Sequence, residues 1–128
     1  MLSISCEHPD LEEFIRIKSD LDKVTKANIS IRITDKFMAA VKNHELFTLS
    51  FTREETGETI TKTIDAYKTF HEMCKMNWDY AEPGMLFWDR INNWNLLSCD
   101  ENFEYAGTNP CAEEPLPAGG SCLLGSIN

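Results

Sequence analysis

The feature that most constrains the fold is an alternating segment that passes directly into a helix, and it occurs twice in the first third of the chain. Residues 28–33 alternate polar residues with three isoleucines that share one side, and Thr34 follows as a helix N-cap. Residues 1–6 alternate in the same way and lead into a helix whose capping box is formed by Asp10 and Glu13. Strands that alternate with helices predict an α/β fold.

The middle of the chain predicts a β-hairpin. Residues 46–52 alternate large apolar residues with Thr and Ser, and residues 58–64 form a Thr-rich return strand. Gly57 lies in the connecting turn, where it can adopt a left-handed conformation.

Two helices are predicted after this hairpin. Asp65 begins the longer one, and its predicted core stripe is Tyr67, Phe70, Cys74 and Trp78. Residues 85–93 follow the break at Pro83 and predict a shorter helix with Leu86, Phe87, Ile91 and Trp94 in the core. The expected order of elements is therefore β-α-β-α-β-β-α-α-loop-β.

Composition narrows the class of protein. With 128 residues the chain has room for one domain, and 42% hydrophobic residues are enough for a core. A net charge of −9 argues against nucleic-acid binding, because an acidic surface repels a phosphate backbone. The sequence lacks an apolar run of membrane-spanning length and begins without the features of a signal peptide. We expect a cytoplasmic protein with neither nucleic-acid nor membrane partners.

The chain has five cysteines, an odd number without a C-x-x-C pair: Cys6, Cys74, Cys99, Cys111 and Cys122. This pattern predicts neither a disulfide framework nor a metal site. Cys6 falls on the first alternating strand, where a small core residue is expected.

The character of the sequence changes after residue 95. Residues 98–122 contain three prolines and three glycines without periodicity, and a loop of this length is usually functional. If its backbone is extended, Asn109, Cys111 and Glu113 point to the same side. An amide, a thiol and a carboxyl would then share a small volume, where the thiol can act as nucleophile or hydrogen-atom donor and the carboxylate as base. Residues 122–127 predict a further strand, and both ends of the chain look cut.

The segment TNPCAEEPLPAGGSCLLGSIN resembles the finger-loop signature of the ribonucleotide reductase large chain. Its residues are most similar to those of the adenosylcobalamin-dependent, class II branch of that family. Three upstream segments are similar to family segments in family order: SISCEHPDLEEFI, KVTKANISIRITDKFMAAV and PGMLFWDRIN. The resemblance thus covers nearly the whole chain.

This resemblance implies a fold and an activity. The family fold is a ten-stranded α/β barrel of two five-stranded halves, of which this chain would supply the end of the first half and the finger loop. Residues 1–97 would be the strand and helix portion, residues 98–122 the finger loop, and residues 122–128 the start of the next strand. The implied activity is radical reduction of ribonucleoside diphosphates or triphosphates to deoxyribonucleotides.

The resemblance also implies a role for each site residue. Cys111 matches the family cysteine that carries the thiyl radical, which removes the 3′ hydrogen of the ribose. Glu113 matches the carboxylate that takes the proton of the 3′ hydroxyl. Asn109 matches an amide that hydrogen-bonds the ribose hydroxyls. Cys122 matches one member of the dithiol that supplies two electrons while the 2′ hydroxyl leaves as water. The implied cofactor is adenosylcobalamin, with no identifiable ligand in this chain.

Several alternatives stay open at this point. The family's second reducing cysteine lies upstream of the segment that matches this chain, and the substrate phosphate site lies downstream, so the isolated chain is expected to be catalytically incomplete. It could be a non-catalytic truncated copy, a piece of a split enzyme that binds other reductase segments or a second reductase chain, or a member of the diiron-dependent branch. The full enzyme would take electrons from a thioredoxin-type reductant.

Overall fold

A computed structural model describes residues 1–20 and 22–128. Its helices and strands follow the chain in this order: β1 (Leu2–Ser5), α1 (Leu11–Arg16), a short 3-10 helix (Ile17–Ser19), β2 (Ile29–Ile33), α2 (Asp35–Asn43), β3 (Leu46–Thr52), β4 (Thr59–Asp65), α3 (Ala66–Tyr80), β5 (Gly84–Phe87), α4 (Trp88–Asn93), β6 (Gly107–Thr108) and β7 (Pro115–Leu116). The chain is therefore a mixed α/β structure, and the described residues do not close into a barrel.

Three short strands form a parallel sheet in the order β1-β2-β5. The register places Ile4 beside Ile31 and Ser30 beside Gly84. A Cβ atom added to Gly84 would lie 2.7 Å from the Ser30 hydroxyl oxygen, so any other residue at this position would require that hydroxyl to move.

The core lies where the isoleucine side of β2 meets α1, α2, α3 and the β3–β4 hairpin. Ile29, Ile31 and Ile33 are all buried, as their alternation predicted. The aromatic rings of Phe37 and Phe47 meet edge to face with 5.2 Å between their centroids. The full cluster of buried residues is Cys6, Leu11, Ile15, Ile31, Ile33, Phe37, Ala40, Val41, Phe47, Leu49, Ile64, Ala66 and Met73. The prediction that Cys6 is a core residue is confirmed, and burial raises the pKa of its thiol.

The predicted helix caps have different outcomes. Thr34 caps α2 by accepting a hydrogen bond from the Phe37 N–H at 3.2 Å, and Asp65 caps α3 through the Lys68 N–H at 3.0 Å. The predicted capping box at Asp10 is wrong, because the Asp10 side chain makes no capping hydrogen bond. Its backbone, at φ −84° and ψ 10°, is not in the extended conformation that directs an N-cap side chain over the first turn.

Replacement of Thr34 by Ala is expected to destabilise the chain by about 1 kcal/mol, because the N–H of Phe37 loses its acceptor at the start of α2. Thr34→Ser keeps the hydroxyl and should remain within about 0.5 kcal/mol of the parent. Urea unfolding followed by circular dichroism measures both values. Equal stability of the Ala and parent chains would mean that the cap is not needed.

The predicted hairpin is confirmed. β3 and β4 pair antiparallel from Leu46 and Asp65 to Thr52 and Thr59. Gly57 lies in the turn at φ 68°, the left-handed conformation expected there.

The helix predicted over residues 85–93 is wrong in its first part. Residues 84–87 form β5, and α4 begins only at Trp88. A short apolar run such as Met-Leu-Phe has no diagnostic periodicity, and here its pairing with β2 decides the conformation. Of its predicted core residues, Leu86 is buried and Ile91 half-buried, whereas Phe87 and Trp94 are exposed.

The stripe predicted for α3 is also displaced. The buried residues are Ala66, Thr69 and Met73, with Phe70 partly buried against them. Tyr67, Cys74 and Trp78 are exposed instead. The buried stripe is offset by one residue from the predicted one, because the packing of α3 against α1 and α2 sets its rotation about the helix axis.

The segment predicted as a loop, residues 98–122, contains one small element, the antiparallel pair of β6 and β7. Residues 122–128 are exposed and form no strand in this structure, and the strand expected there stays a prediction. Among the helices of the described residues, none combines the length and apolar character that crossing a membrane requires.

Candidate functional site

The predicted site lies on a tight hairpin formed by β6, β7 and the residues between them. Gly107 pairs with Leu116 and Thr108 with Pro115. Beyond these pairs the Asn109 N–H donates to the Glu114 carbonyl at 3.2 Å, and the Ala112 N–H donates to the Asn109 carbonyl at 3.0 Å. The chain therefore reverses direction within residues 109–114.

Asn109 is the centre of this hairpin and is only 5% exposed. Its Nδ2 donates to Glu113 Oε1 at 2.5 Å and lies 3.6 Å from the sulfur of Cys122. Its Oδ1 accepts the Glu114 N–H at 3.1 Å. Both ends of the buried amide are thus satisfied, as burial of a polar group requires. We call Asn109, Glu113, Glu114 and Cys122 the Asn109 cluster.

The structure brings three of the four predicted site residues together, but not in the predicted way. Asn109 and Glu113 meet because a turn folds residue 113 back onto residue 109, whereas the prediction assumed an extended backbone. Ala112 interrupts any alternation with its φ of 64°. Cys111 lies in the turn between them with an exposed, free thiol.

Cys122 joins the cluster from 13 positions after Asn109. The pKa of its thiol is raised above the ordinary value, first because its side chain is hydrogen-bonded to Glu114 and also because Glu114 and Glu113 carry negative charge. The sequence prediction did not include Glu114. The available signal was a second carboxylate directly after the Asn-x-Cys-x-Glu motif, but only the turn shows that the N–H of this residue reaches the amide oxygen of Asn109.

An apolar groove separates the hairpin from β5 and α4. Ala112 and Pro115 line one side of it. The other side is formed by Leu86, Phe87, Ile91, Trp94 and Tyr105 among others. The turn that carries Cys111 therefore adjoins an open apolar surface, and Pro110 and Pro115 restrict the backbone on either side of the thiol.

Comparison with known proteins gives the family of the chain. The model of the ribonucleotide reductase barrel domain matches residues 1–128. The chain is 36% identical over 126 residues to the vitamin B12-dependent ribonucleoside-diphosphate reductase of Thermoplasma acidophilum, covering 98% of this chain and 16% of that protein.

Two bacterial relatives are similar over the whole chain. The vitamin B12-dependent ribonucleotide reductase of Streptomyces avermitilis is 34% identical over 151 aligned residues, which are 15% of its length. The vitamin B12-dependent ribonucleoside-diphosphate reductase of Mycobacterium tuberculosis (strain H37Rv) is 34% identical over 129 residues, or 18% of its length.

The chain belongs to the ribonucleotide reductase barrel-domain family. The resemblance drawn from its motifs is therefore confirmed at the level of the family. The chain spans 15–18% of the length of these three curated relatives.

Proposed function

We propose that this chain is part of a catalytic subunit that reduces ribonucleotides to deoxyribonucleotides by radical chemistry. The observation that carries the proposal is the hairpin, which places an amide, a carboxylate and a thiol in hydrogen-bond contact and leaves a second thiol exposed in the same turn. The names of the relatives, ribonucleotide reductases that depend on vitamin B12, support this activity.

Each side chain has a role in that reaction. After loss of its own S–H hydrogen atom, Cys111 takes the 3′ hydrogen atom of the ribose, and Glu113 accepts the proton of the 3′ hydroxyl. Asn109 donates to one oxygen of Glu113, which holds the carboxylate in place and leaves its other oxygen for the substrate. Cys122 supplies electrons as one of two thiols, which form a disulfide while the 2′ hydroxyl leaves as water.

Adenosylcobalamin is the proposed cofactor, and when bound it supplies the radical that the thiol receives. One feature of the described residues fits a bound adenosylcobalamin: the thiol of Cys111 is free and exposed. Those residues contain no group of three or more His, Cys, Asp or Glu side chains that could hold a metal ion, so we assign none of them to the cobalt.

The proposed fold of the complete protein is the ten-stranded barrel. Within the described residues, β1 and β5 each pair only with β2, so both edges of the parallel sheet are open to further strands. We propose residues 1–97 as the end of the first half-barrel, residues 98–122 as the finger loop and residues 122–128 as the start of the next strand. The proposed protein partners are the remaining barrel segments, a second reductase chain and a thioredoxin-type reductant. The proposed location of the protein is the cytoplasm.

A chimera tests the function directly. Residues 1–128 would replace the matching segment of the Mycobacterium tuberculosis relative, and deoxynucleotide formation would be measured with nucleotide, reductant and adenosylcobalamin. We expect turnover by the chimera that ceases when adenosylcobalamin is omitted. We expect no product from the isolated chain under the same conditions.

The unmodified relative is the control for assay and folding. A chimera that folds like this control but forms no deoxynucleotide would overturn the proposal and favour a non-catalytic copy that binds reductase segments. Turnover by the isolated chain would overturn its proposed incompleteness. Activity that appears only when the isolated chain is mixed with the remaining segments would identify a split enzyme.

A further inference from the structure

The short helix α4 has few interactions of its own to hold it in place. None of its six residues, Trp88–Asn93, is buried, and no side chain in the described part of the chain caps its N-terminus. A helix of this length is unstable alone in water, so its contacts with other elements decide its position. That position matters for the apolar groove, because Ile91 and Trp94 line the wall opposite Ala112 and Pro115.

One contact joins the start of α4 to the start of α2. Asp89 Oδ2 accepts the backbone N–H of Asp35 at 2.6 Å. Asp35 is the first residue of α2, and the first four N–H groups of a helix have no partner within it. Thr34 serves the N–H of Phe37, so Asp89 supplies a second cap to α2 from a distant part of the chain. Its negative charge also lies at the positive end of the helix dipole.

Two further contacts of α4 are weaker or more limited. Arg90 Nε donates to Asp35 Oδ1 at 3.1 Å, but both side chains are more than half exposed, and exposed ion pairs contribute little to stability. The guanidinium of Arg32 lies over the Trp88 ring, 5.3 Å from its centroid, and its Nε is buried without a hydrogen-bond partner among the described residues. The indole therefore covers this guanidinium, but the contact involves only the first residue of α4.

We propose that Asp89 is a positioning residue: its bond to the Asp35 N–H fixes α4, and with it the groove wall that adjoins the turn of Cys111. Asp89 is half-buried, and a hydrogen bond to a charged acceptor is stronger than one between neutral groups. The importance of this bond for turnover rests on the proposed function. Its effect on α4 does not, because it concerns only the conformation of this chain.

The test is amide hydrogen exchange in the full 128-residue chain, measured for each residue by nuclear magnetic resonance. The Asp35 N–H reports the bond itself, because α2 offers it no other acceptor. The Trp94 N–H donates to the Ile91 carbonyl at 3.2 Å and reports the order of α4. We expect Asp89→Ala to raise the exchange rate at least about tenfold at Asp35 and about threefold or more at Trp94. Alanine is a better helix former than aspartate, so lower helix propensity cannot cause this result.

Arg90→Ala is the matched control, because it removes a charged side chain from the next position of α4 and breaks only the exposed ion pair. It should raise both rates less than Asp89→Ala does. Asp89→Asn keeps an acceptor oxygen without the charge and should restore part of the protection at Asp35. The amides of the β3–β4 hairpin should exchange alike in all variants, which separates local opening of α4 from a loss of overall stability.

An unchanged Asp35 rate in Asp89→Ala would overturn the proposed bond. A raised Asp35 rate with an unchanged Trp94 rate would overturn the positioning of α4, as would equal increases throughout the hairpin or an equal effect of Arg90→Ala. Hydrogen exchange requires neither nucleotide nor cofactor. An inactive chimera would therefore contradict the proposed function without changing this result, and unchanged exchange would contradict only the role of Asp89.

Discussion

Cys111→Ser is expected to abolish deoxynucleotide formation in the chimera, with a loss of at least about 10³-fold, or about 4 kcal/mol of activation free energy. The oxygen–hydrogen bond of serine is much stronger than the sulfur–hydrogen bond of cysteine, so the hydroxyl cannot take over hydrogen-atom transfer. The substitution changes one atom in an exposed turn, and we expect the fold to be unaffected. Chromatographic separation of deoxynucleotide from ribonucleotide provides the measurement.

Cys99→Ser is the matched control for this loss. Like Cys111, Cys99 is exposed and precedes β7 in the chain, but it lies outside the Asn109 cluster. We expect its variant to retain turnover close to that of the parent chimera. Activity of Cys111→Ser within tenfold of the parent would remove Cys111 from the proposed chemistry, however well the motif matches.

The strand and helix units near the N-terminus could be predicted because their signals are local. The isoleucines of β2 alternate over five residues, and Thr34 meets its hydrogen-bond donor three residues later. Both signals are complete within one stretch of chain. The same holds for the β3–β4 hairpin, where two alternating strands flank a turn that contains Gly57.

The failures fall where a distant partner decides the outcome. β5 is a strand because residues 84–87 pair with β2, more than 50 positions earlier in the chain. The rotation of α3 depends on its packing against α1 and α2, so its buried stripe lies one residue away from the predicted stripe. In both cases the local pattern fits two structures equally well, and only tertiary contacts distinguish them.

The site was predictable in its residues and unpredictable in its geometry. Spacing alone suggested that Asn109 and Glu113 are neighbours, but an extended loop would have placed Cys111 between them in the same volume. The turn instead brings Glu113 onto the amide and leaves Cys111 exposed. The contacts of Glu114 and Cys122 with Asn109 depend on this reversal of the chain, which the sequence does not encode as a periodic pattern.

Phe37→Ala is expected to cost about 3–5 kcal/mol of unfolding free energy. Phe37 is the largest fully buried side chain of the described residues, and it packs edge to face against Phe47. Removing the ring takes away its burial and leaves a cavity where α2 meets the sheet and the hairpin. A domain of this size is typically stable by about 5–15 kcal/mol, so the loss is a large part of the total.

Urea unfolding monitored by circular dichroism measures this loss, with two further variants for comparison. Phe37→Leu keeps most of the volume and should cost less than about 1.5 kcal/mol, which gives a measurable value even if the Ala variant unfolds. Phe51→Ala makes the same deletion on β3 at a side chain that is 42% exposed, and it should cost clearly less than Phe37→Ala. Equal costs at positions 37 and 51 would show that α2 does not pack on the sheet through Phe37.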